Sequence, residues 1–417
     1  MVAVLPLPAI ERPAVLVIFL LTYFGIAVGR VPGLKLDRTG IVLLGAIAML
    51  VLGGFTTPEV IGFVNWPTIL LLFGFFVLSA QLRLSGFFDR VAARIAAGLA
   101  HPARFLLVLM LTTAGLSAFL NHDIVCFVFA PVVATALLRR GLDPVPFLVA
   151  LAIASNIGAA ATLVGNPQGM LIAQVAGLGF GRYVVWALVP VVVALAAAYA
   201  ILWALSHRRW DLETGIAPPP AVSQEPYDRA HTIKGLVILG LVIALFFTSL
   251  PKELVALTAA AIHLASPRFR TGELLRLVDW SILVLFMSLF VVTGAFEATG
   301  YGMDAVRWLT HAGLDLRSPT TLAVVTAGLS NLVNNSAAVM LLLEVPGVSQ
   351  PPAAYVLSLA NSFGGSLLIV GSVSNIIVVQ QARELGIQVS FRDFARLSVP
   401  VTVAALAGLI GWVMLVG

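Results

Sequence analysis

Thr113-Ala-Gly-Leu-Ser117 recurs as Thr326-Ala-Gly-Leu-Ser330, and each copy runs into an asparagine cluster inside an apolar stretch. The first copy leads to Asn121-His122-Asp123, the second to Asn334-Asn335-Ser336. One pentapeptide match in so biased a composition proves little, but the matches continue in the same order on both sides. Upstream, Trp66 pairs with Trp280, Phe76-Val77 with Phe290-Val291, and Gly86 with Gly300. Downstream, Gly158 pairs with Gly364, Val164-Gly165 with Val370-Gly371, and Gln174 with Gln380. The offset shortens from about 213 to 206 residues between hairpin and downstream helix, a small loop difference. An ordered series of this kind marks two structural repeats.

The composition is 60% hydrophobic and only 10% charged, with a mean hydropathy of +1.04, outside the soluble range. Several apolar runs are long enough to cross a bilayer, so the expectation is an all-α polytopic membrane protein. The 36 glycines and 23 prolines fit, because transmembrane helices carry more of both than soluble helices. The single Cys126 excludes an internal disulfide and a cysteine-based metal cluster. The net charge of +5 reflects loop charges of a membrane protein rather than nucleic-acid binding. Residues 1–11 have no basic n-region, so no cleavable signal peptide is expected.

Hydropathy predicts crossings at about 13–29, 39–55, 66–82, 148–179 and 183–206 in the first half. Their counterparts lie at about 233–249, 252–267, 281–297, 353–382 and 394–416. Between the third and fourth crossings of each half, short apolar segments flank the asparagine cluster: 103–120 with 122–138, and 318–333 with 335–345. These read as re-entrant hairpins, about 103–138 and 318–345, whose tips face protein or a water-filled cavity near mid-membrane. The fourth crossing of each half is a broken helix, about 148–179 and 353–382. Its first copy is interrupted around Gly165-Asn-Pro167 and its second around Gly364-Gly-Ser366 and Gly371-Ser372. Residues 1–206 and 233–417 are thus the expected repeats of five transmembrane helices, joined by a polar linker over 207–232. Segment 86–99 is amphipathic and is expected to lie along the membrane surface.

On this topology nineteen of the 24 basic residues, among them Arg30, Lys35, Arg38, Arg83, Arg276 and Arg396, fall on one side. Arg12, Arg182, Lys252, Arg307 and Arg317 fall on the other. The positive-inside rule makes the first side, and the linker, cytoplasmic and puts both termini outside. Five crossings per repeat is an odd number, so the second repeat is inverted relative to the first. Inverted repeats with hairpins and interrupted helices are the architecture of a secondary transporter. Helix ends at the midplane offer unpaired N–H and C=O groups that hold an ion or polar solute without a full charge.

Within that frame Asp123 is the deepest carboxylate, and an acid at a helix centre costs roughly 2.5–3.5 kcal/mol on insertion scales. It is a candidate for proton coupling with His122, or for ligating a sodium ion, against the plainer reading that it caps the second hairpin limb. For His122 the plainer reading is a hydrogen bond across the hairpin. Candidate substrate- or ion-binding residues are Asn121, Asp123, Asn156, Thr162, Gly165 and Asn166 in the first half. In the second half they are Asn334, Asn335, Ser336, Gly365, Ser366, Ser372 and Asn375. The glycines serve backbone geometry and close packing, and each polar residue has the alternative of bonding one helix to another. The tips are chemically asymmetric, since Asn334-Asn335-Ser336 contains no acid. No paired metal-ligand histidines, Gly-x-Ser-x-Gly or Walker motif is present, which argues against an enzyme and against ATP hydrolysis by this chain.

At these residues the chain resembles the ion transporter superfamily of arsenite efflux permeases, sodium/proton antiporters and divalent-anion/sodium symporters. The points of resemblance are Leu120 to Pro131, Ser155 to Gln168, Leu332 to Ser336 and Gly364 to Ser372. Asp123 matches the family acid, His122 stands where the family has asparagine, and Asn334-Asn335 match its paired asparagines. Ser366 and Leu368 replace the asparagine and threonine often found beside the second break. The arsenite-permease branch is the nearer relative by this comparison. The resemblance implies a permease of the inner membrane that moves a small anion or oxyacid by alternating access. Its coupling ion would be H+ or Na+, with sodium at the hairpin tips left open. A sodium/proton antiporter is the alternative; a dicarboxylate symporter and a passive channel rank lower. No cofactor, resident metal or nucleic-acid partner is expected. The lipid bilayer is a partner, and a homodimer and a separate ATPase subunit are left open.

Overall fold

The computed structural model describes residues 11–28, 36–98, 101–207, 210, 226–266, 268–301 and 315–416. Arg30, Lys35, Arg307 and most of the expected linker lie outside the described residues. Among the described residues every regular element is a helix. The first half runs α1 (Glu11–Val28), α2 (Arg38–Leu52), α3 (Thr57–Phe63), α4 (Trp66–Leu84) and α5 (Phe87–Ala97). It continues with α6 (Pro102–Ser117), α7 (His122–Arg139), α8 (Val145–Ala159), α9 (Pro167–Val175) and α10 (Phe180–Ser206). The second half runs α11 (Arg229–Leu245), α12 (Lys252–Leu264), α13 (Thr271–Arg276) and α14 (Trp280–Ala298). It ends with α15 (Pro319–Val333), α16 (Asn335–Leu343), α17 (Ala353–Gly364), α18 (Val373–Glu384) and α19 (Phe391–Val416).

The helix starts are written in the sequence. Asn65 Oδ1 accepts from Thr68 N at 3.0 Å to cap α4, and Asp279 Oδ1 accepts from Ile282 N at 3.1 Å to cap α14. These residues occupy matching places one residue before Trp66 and Trp280. Proline stands in the first turn of α4, α6, α8, α9 and α15, where its missing N–H has no intrahelical partner to lose. The short helices α3 and α13 were not expected from hydropathy. They also occupy matching places, each closed by a glutamate, Glu59 and Glu273, that accepts from the N-cap backbone.

Among the described residues five helices are long and apolar enough to cross a membrane by length and composition: α4, α7, α10, α14 and α19. The two longest, α10 and α19, pack against each other and leave large apolar side chains on their outer faces. Val185 is 76% exposed and Leu415 83%. An apolar face of that kind suits lipid and not water. Between halves the packing is crossed: α2 lies on α14, and α4 lies on α12. Gly74 permits the second approach, because a Cβ there would come within 2.8 Å of the Ala256 carbonyl carbon.

The repeated pentapeptide explains itself at this level. A Cβ on Gly158 would lie 2.3 Å from Ala114 Cα, and one on Gly364 would lie 2.6 Å from Ala327 Cα. In both halves the pentapeptide's alanine is therefore the seat of the first piece of the broken helix. The two hairpins differ in length: α7 has 18 residues and α16 only nine. The second limb of the first hairpin thus has the length of a crossing.

Candidate functional site

Each hairpin tip is built around one asparagine. Four residues, Ala118 to Asn121, join α6 to α7, and Asn121 Oδ1 accepts from Asp123 N at 2.9 Å. Asn334 alone joins α15 to α16, and its Oδ1 accepts from Ser336 N at 2.8 Å. Asn334 has φ 99° and ψ 149°, a region that side chains rarely enter. Since Asn121 supplies the cap of α7, the carboxylate of Asp123 is left for other work. It accepts instead from Ser374 Oγ at 2.6 Å, a residue of the other half. The capping alternative for Asp123 is thereby corrected. His122 also departs from its plainer reading: among the described residues no hydrogen bond from its ring crosses the hairpin. Its Nε2 lies 3.6 Å from Asp123 Oδ1, its Nδ1 has no partner among the described residues, and its backbone O accepts from Ser155 Oγ at 3.3 Å.

The second half repeats the same tie with different chemistry. Gln168 Nε2 donates to Ser336 Oγ at 2.8 Å. By the offsets of the repeats, Ser336 stands in the place of Asp123 and Gln168 in that of Ser374. Each tip is thus bonded to the start of the other half's second broken-helix piece.

Around these ties the remaining polar residues hold the breaks in shape. Thr162 Oγ1 donates to Ala118 O, binding the first break to the first tip. Asn166 Oδ1 caps α9 through Gly169 N at 2.6 Å, and its Nδ2 donates to Ser362 Oγ at 3.0 Å. Asn375 Nδ2 donates to Gly365 O at 2.8 Å and Leu368 O at 2.9 Å, while its Oδ1 accepts from Asn156 Nδ2 at 2.9 Å. Gly165 is present for close packing, since a Cβ would fall 2.6 Å from Ser117 O and 2.4 Å from Ala159 O. Asn156, Thr162, Gly165, Asn166 and Asn375 are thus engaged with protein. Gly365 lies beside the Asn335 side chain, and Ser366 is buried with its Oγ unpartnered among the described residues.

Both tips and both breaks meet at one cavity of about 40 Å³. His122, Asp123, Gln168, Asn334, Asn335, Ser336 and Ser372 line it, with Ile282, Leu285 and Phe286 of α14 as its apolar wall and Arg38 of α2 reaching in. That is room for roughly three waters. Asp123 and Asn121 also line a wider cavity of about 390 Å³, shared with Arg83, Arg276 and Asp279. Asp123 therefore stands on the wall of both. Asn335 and Asn361 each keep a buried side-chain carbonyl oxygen without a donor among the described residues. Such buried orphans are rare and call for a water or an ion.

Sequence reasoning missed Arg38, which it assigned to a loop, and Ser374 and Gln168. The last two were within reach, because the same offsets that pair the tips pair these partners. Arg38 carried no such signal.

The comparisons with known proteins agree with this architecture. The sequence profile described as Citrate transporter (CitMHS) matches residues 15–354. An uncharacterized transporter of Mycobacterium tuberculosis (strain ATCC 25618 / H37Rv) is 31% identical over 414 residues, covering 94% of this chain and 95% of its own. In fold, the YdaH transporter of Alcanivorax borkumensis superposes with a TM-score of 0.61 at 15% identity, over 97% of this chain and 98% of its own. MtrF of Neisseria gonorrhoeae superposes with a TM-score of 0.55 at 13% identity, over 96% and 94%. These matches bear out the ion transporter superfamily and do not single out its arsenite branch. The chain is an integral membrane transporter rather than an enzyme, and it belongs to the citrate transporter family (CitMHS).

Proposed function

We propose that the chain is a secondary active transporter that moves a small anion or oxyacid across the inner membrane, coupled to protons or sodium. One observation carries this reading: the single carboxylate at the meeting point of both tips and both breaks is bonded across the two halves, Asp123 to Ser374. A carboxylate shared between the halves at that point links occupancy of Asp123 to alternating access, in which a transport domain moves against a scaffold. In this reading residues 1–206 and 233–417 are inverted repeats, 207–232 is a cytoplasmic linker and both termini lie outside. Asp123 holds the coupling proton or helps ligate sodium, and the orphan oxygen of Asn335 offers a neutral oxygen ligand at the second tip. Citrate, for which the family is named, is the first anion to try.

The cavity size favours a second reading. About 40 Å³ suits an ion with a little water, so a sodium/proton antiporter with no other solute is the alternative. Any larger anion requires the tips to separate from α14. Purified protein in proteoliposomes distinguishes the two. Uptake of labelled citrate, sulfate or phosphate driven by an imposed proton or sodium gradient supports the first reading. Sodium-driven pH change with no anion flux supports the second, and ohmic current without saturation would sink both.

A further inference from the structure

Arg38 is the first residue of α2, half-buried, and lines the central cavity together with the two tips. Its one side-chain hydrogen bond among the described residues is long, from Nη1 to Val370 O at 3.4 Å in the second break. A guanidinium has five N–H donors, so most of its capacity is unused by that bond. Among the described residues no carboxylate stands within 4.0 Å of it. Asp37, its chain neighbour, is occupied in capping α2 through Gly40 N at 2.8 Å. Asp123 lines the same cavity, yet the two opposite charges make no ion pair, and Asp123 bonds to Ser374 instead. The other polar groups of that wall, Gln168, Asn334, Asn335, Ser336 and Ser372, are neutral, and His122 faces Asp123.

A structural arginine at a helix start beside a buried acid closes onto that acid or turns its head to bulk water. Arg38 does neither. We infer that Arg38 is the specificity-determining residue of the central site, and that it selects a fully charged oxyanion with two oxygens on one atom. Carboxylate, sulfate and phosphate present that pair of oxygens to the guanidinium fork; uncharged arsenous acid does not carry the charge. This inference rests on the anion-transport reading above and narrows it. In it, the coupling ion binds at Asp123 and the substrate at Arg38, two separate points on the wall of one cavity. Their mutual attraction across the cavity then favours joint occupancy, which is the requirement for symport.

The test uses the full-length protein in proteoliposomes with labelled citrate, sulfate, phosphate and arsenite at neutral pH, where arsenite is the uncharged acid. Arg38→Gln is expected to raise KM for the transported oxyanion at least about tenfold, with a smaller change in kcat. Arg38→Lys, which keeps the charge and loses the fork, should fall between Gln and wild type. An unchanged KM in Arg38→Gln overturns the assignment while leaving the transport reading intact. Should the Gln variant not fold, the Lys variant decides: a raised KM supports the assignment and an unchanged one overturns it. Arsenous acid carried by the wild type in preference to every oxyanion also overturns it. If the wild type carries none of the four solutes, the transport reading fails, and the inference with it.

Discussion

Ser374 Oγ donates to Asp123 Oδ1 at 2.6 Å, joining residues 251 positions apart in the chain. The bond is short because its acceptor is a carboxylate, and it spans the first tip and the second break. Asp123→Asn removes the charge with little change of shape. We expect gradient-driven flux to fall on the order of 10- to 100-fold, the range of a lost charge-assisted hydrogen bond. Ser374→Ala leaves the carboxylate in place and should cost only about fivefold. Initial-rate flux in proteoliposomes gives the order; equal losses in the two variants would mean that the hydrogen bond, and not the charge, is what matters.

Asn334 turns the second hairpin in a single residue at φ 99°. Backbone in that region costs about 1–3 kcal/mol for a residue with a Cβ. Asn334→Gly removes that strain and gives up a cap worth only a few tenths relative to glycine. The thermal midpoint in detergent should therefore rise. Asn334→Ala keeps the strain and loses the cap, so it should lower stability by about 1 kcal/mol. A midpoint lower for glycine than for alanine would contradict this account of the turn.

Gly158 and Gly364 meet the backbone of Ala114 and Ala327, whereas a Cβ on Gly115 or Gly328 would meet nothing within 4 Å. Gly158→Ala and Gly364→Ala should each destabilise by about 1–3 kcal/mol through overpacking. Gly115→Ala and Gly328→Ala should be neutral or stabilising by up to about 1 kcal/mol. Unfolding midpoints of the four variants check the pattern, and the same sign in all four would refute it.

Gln168 and Ser336 lie 2.8 Å apart across the halves, and the chain's single cysteine, Cys126, is buried. In a Cys126→Ala background, Gln168→Cys with Ser336→Cys should be joined by a short bis-methanethiosulfonate cross-linker, whose reach replaces the length of the glutamine side chain. Transport should then stop and return on reduction, because the tip would no longer separate from α9. Transport undiminished in the cross-linked protein would show that this contact persists throughout the cycle.

Much of the fold was legible because a bilayer restricts what a chain can do: apolar length marks helices, and glycine, proline and asparagine mark their interruptions. The tips, the breaks and their equivalence came from the order of matches around Thr113–Ser117 and Thr326–Ser330. Legibility ended where side chains of different segments meet. Asp123 could be read as a cap until Asn121 was seen to supply it, since both residues favour that position. His122 could be read as a cross-hairpin donor until its ring was placed beside Asp123.

The sequence by itself determined helices, their interruptions and the chemical asymmetry of the tips, all consequences of local composition and of backbone groups that must bond within the segment. Only the tertiary structure decided which half each tip would touch. The ties Asp123–Ser374 and Ser336–Gln168 join residues far apart in the chain, and the place of Arg38 depends on α2 packing against α14 of the other half. Those are packing outcomes, fixed by where close approaches such as Gly158 on Ala114 let helices meet. A cation counted as a loop charge thereby became part of the central cavity's wall.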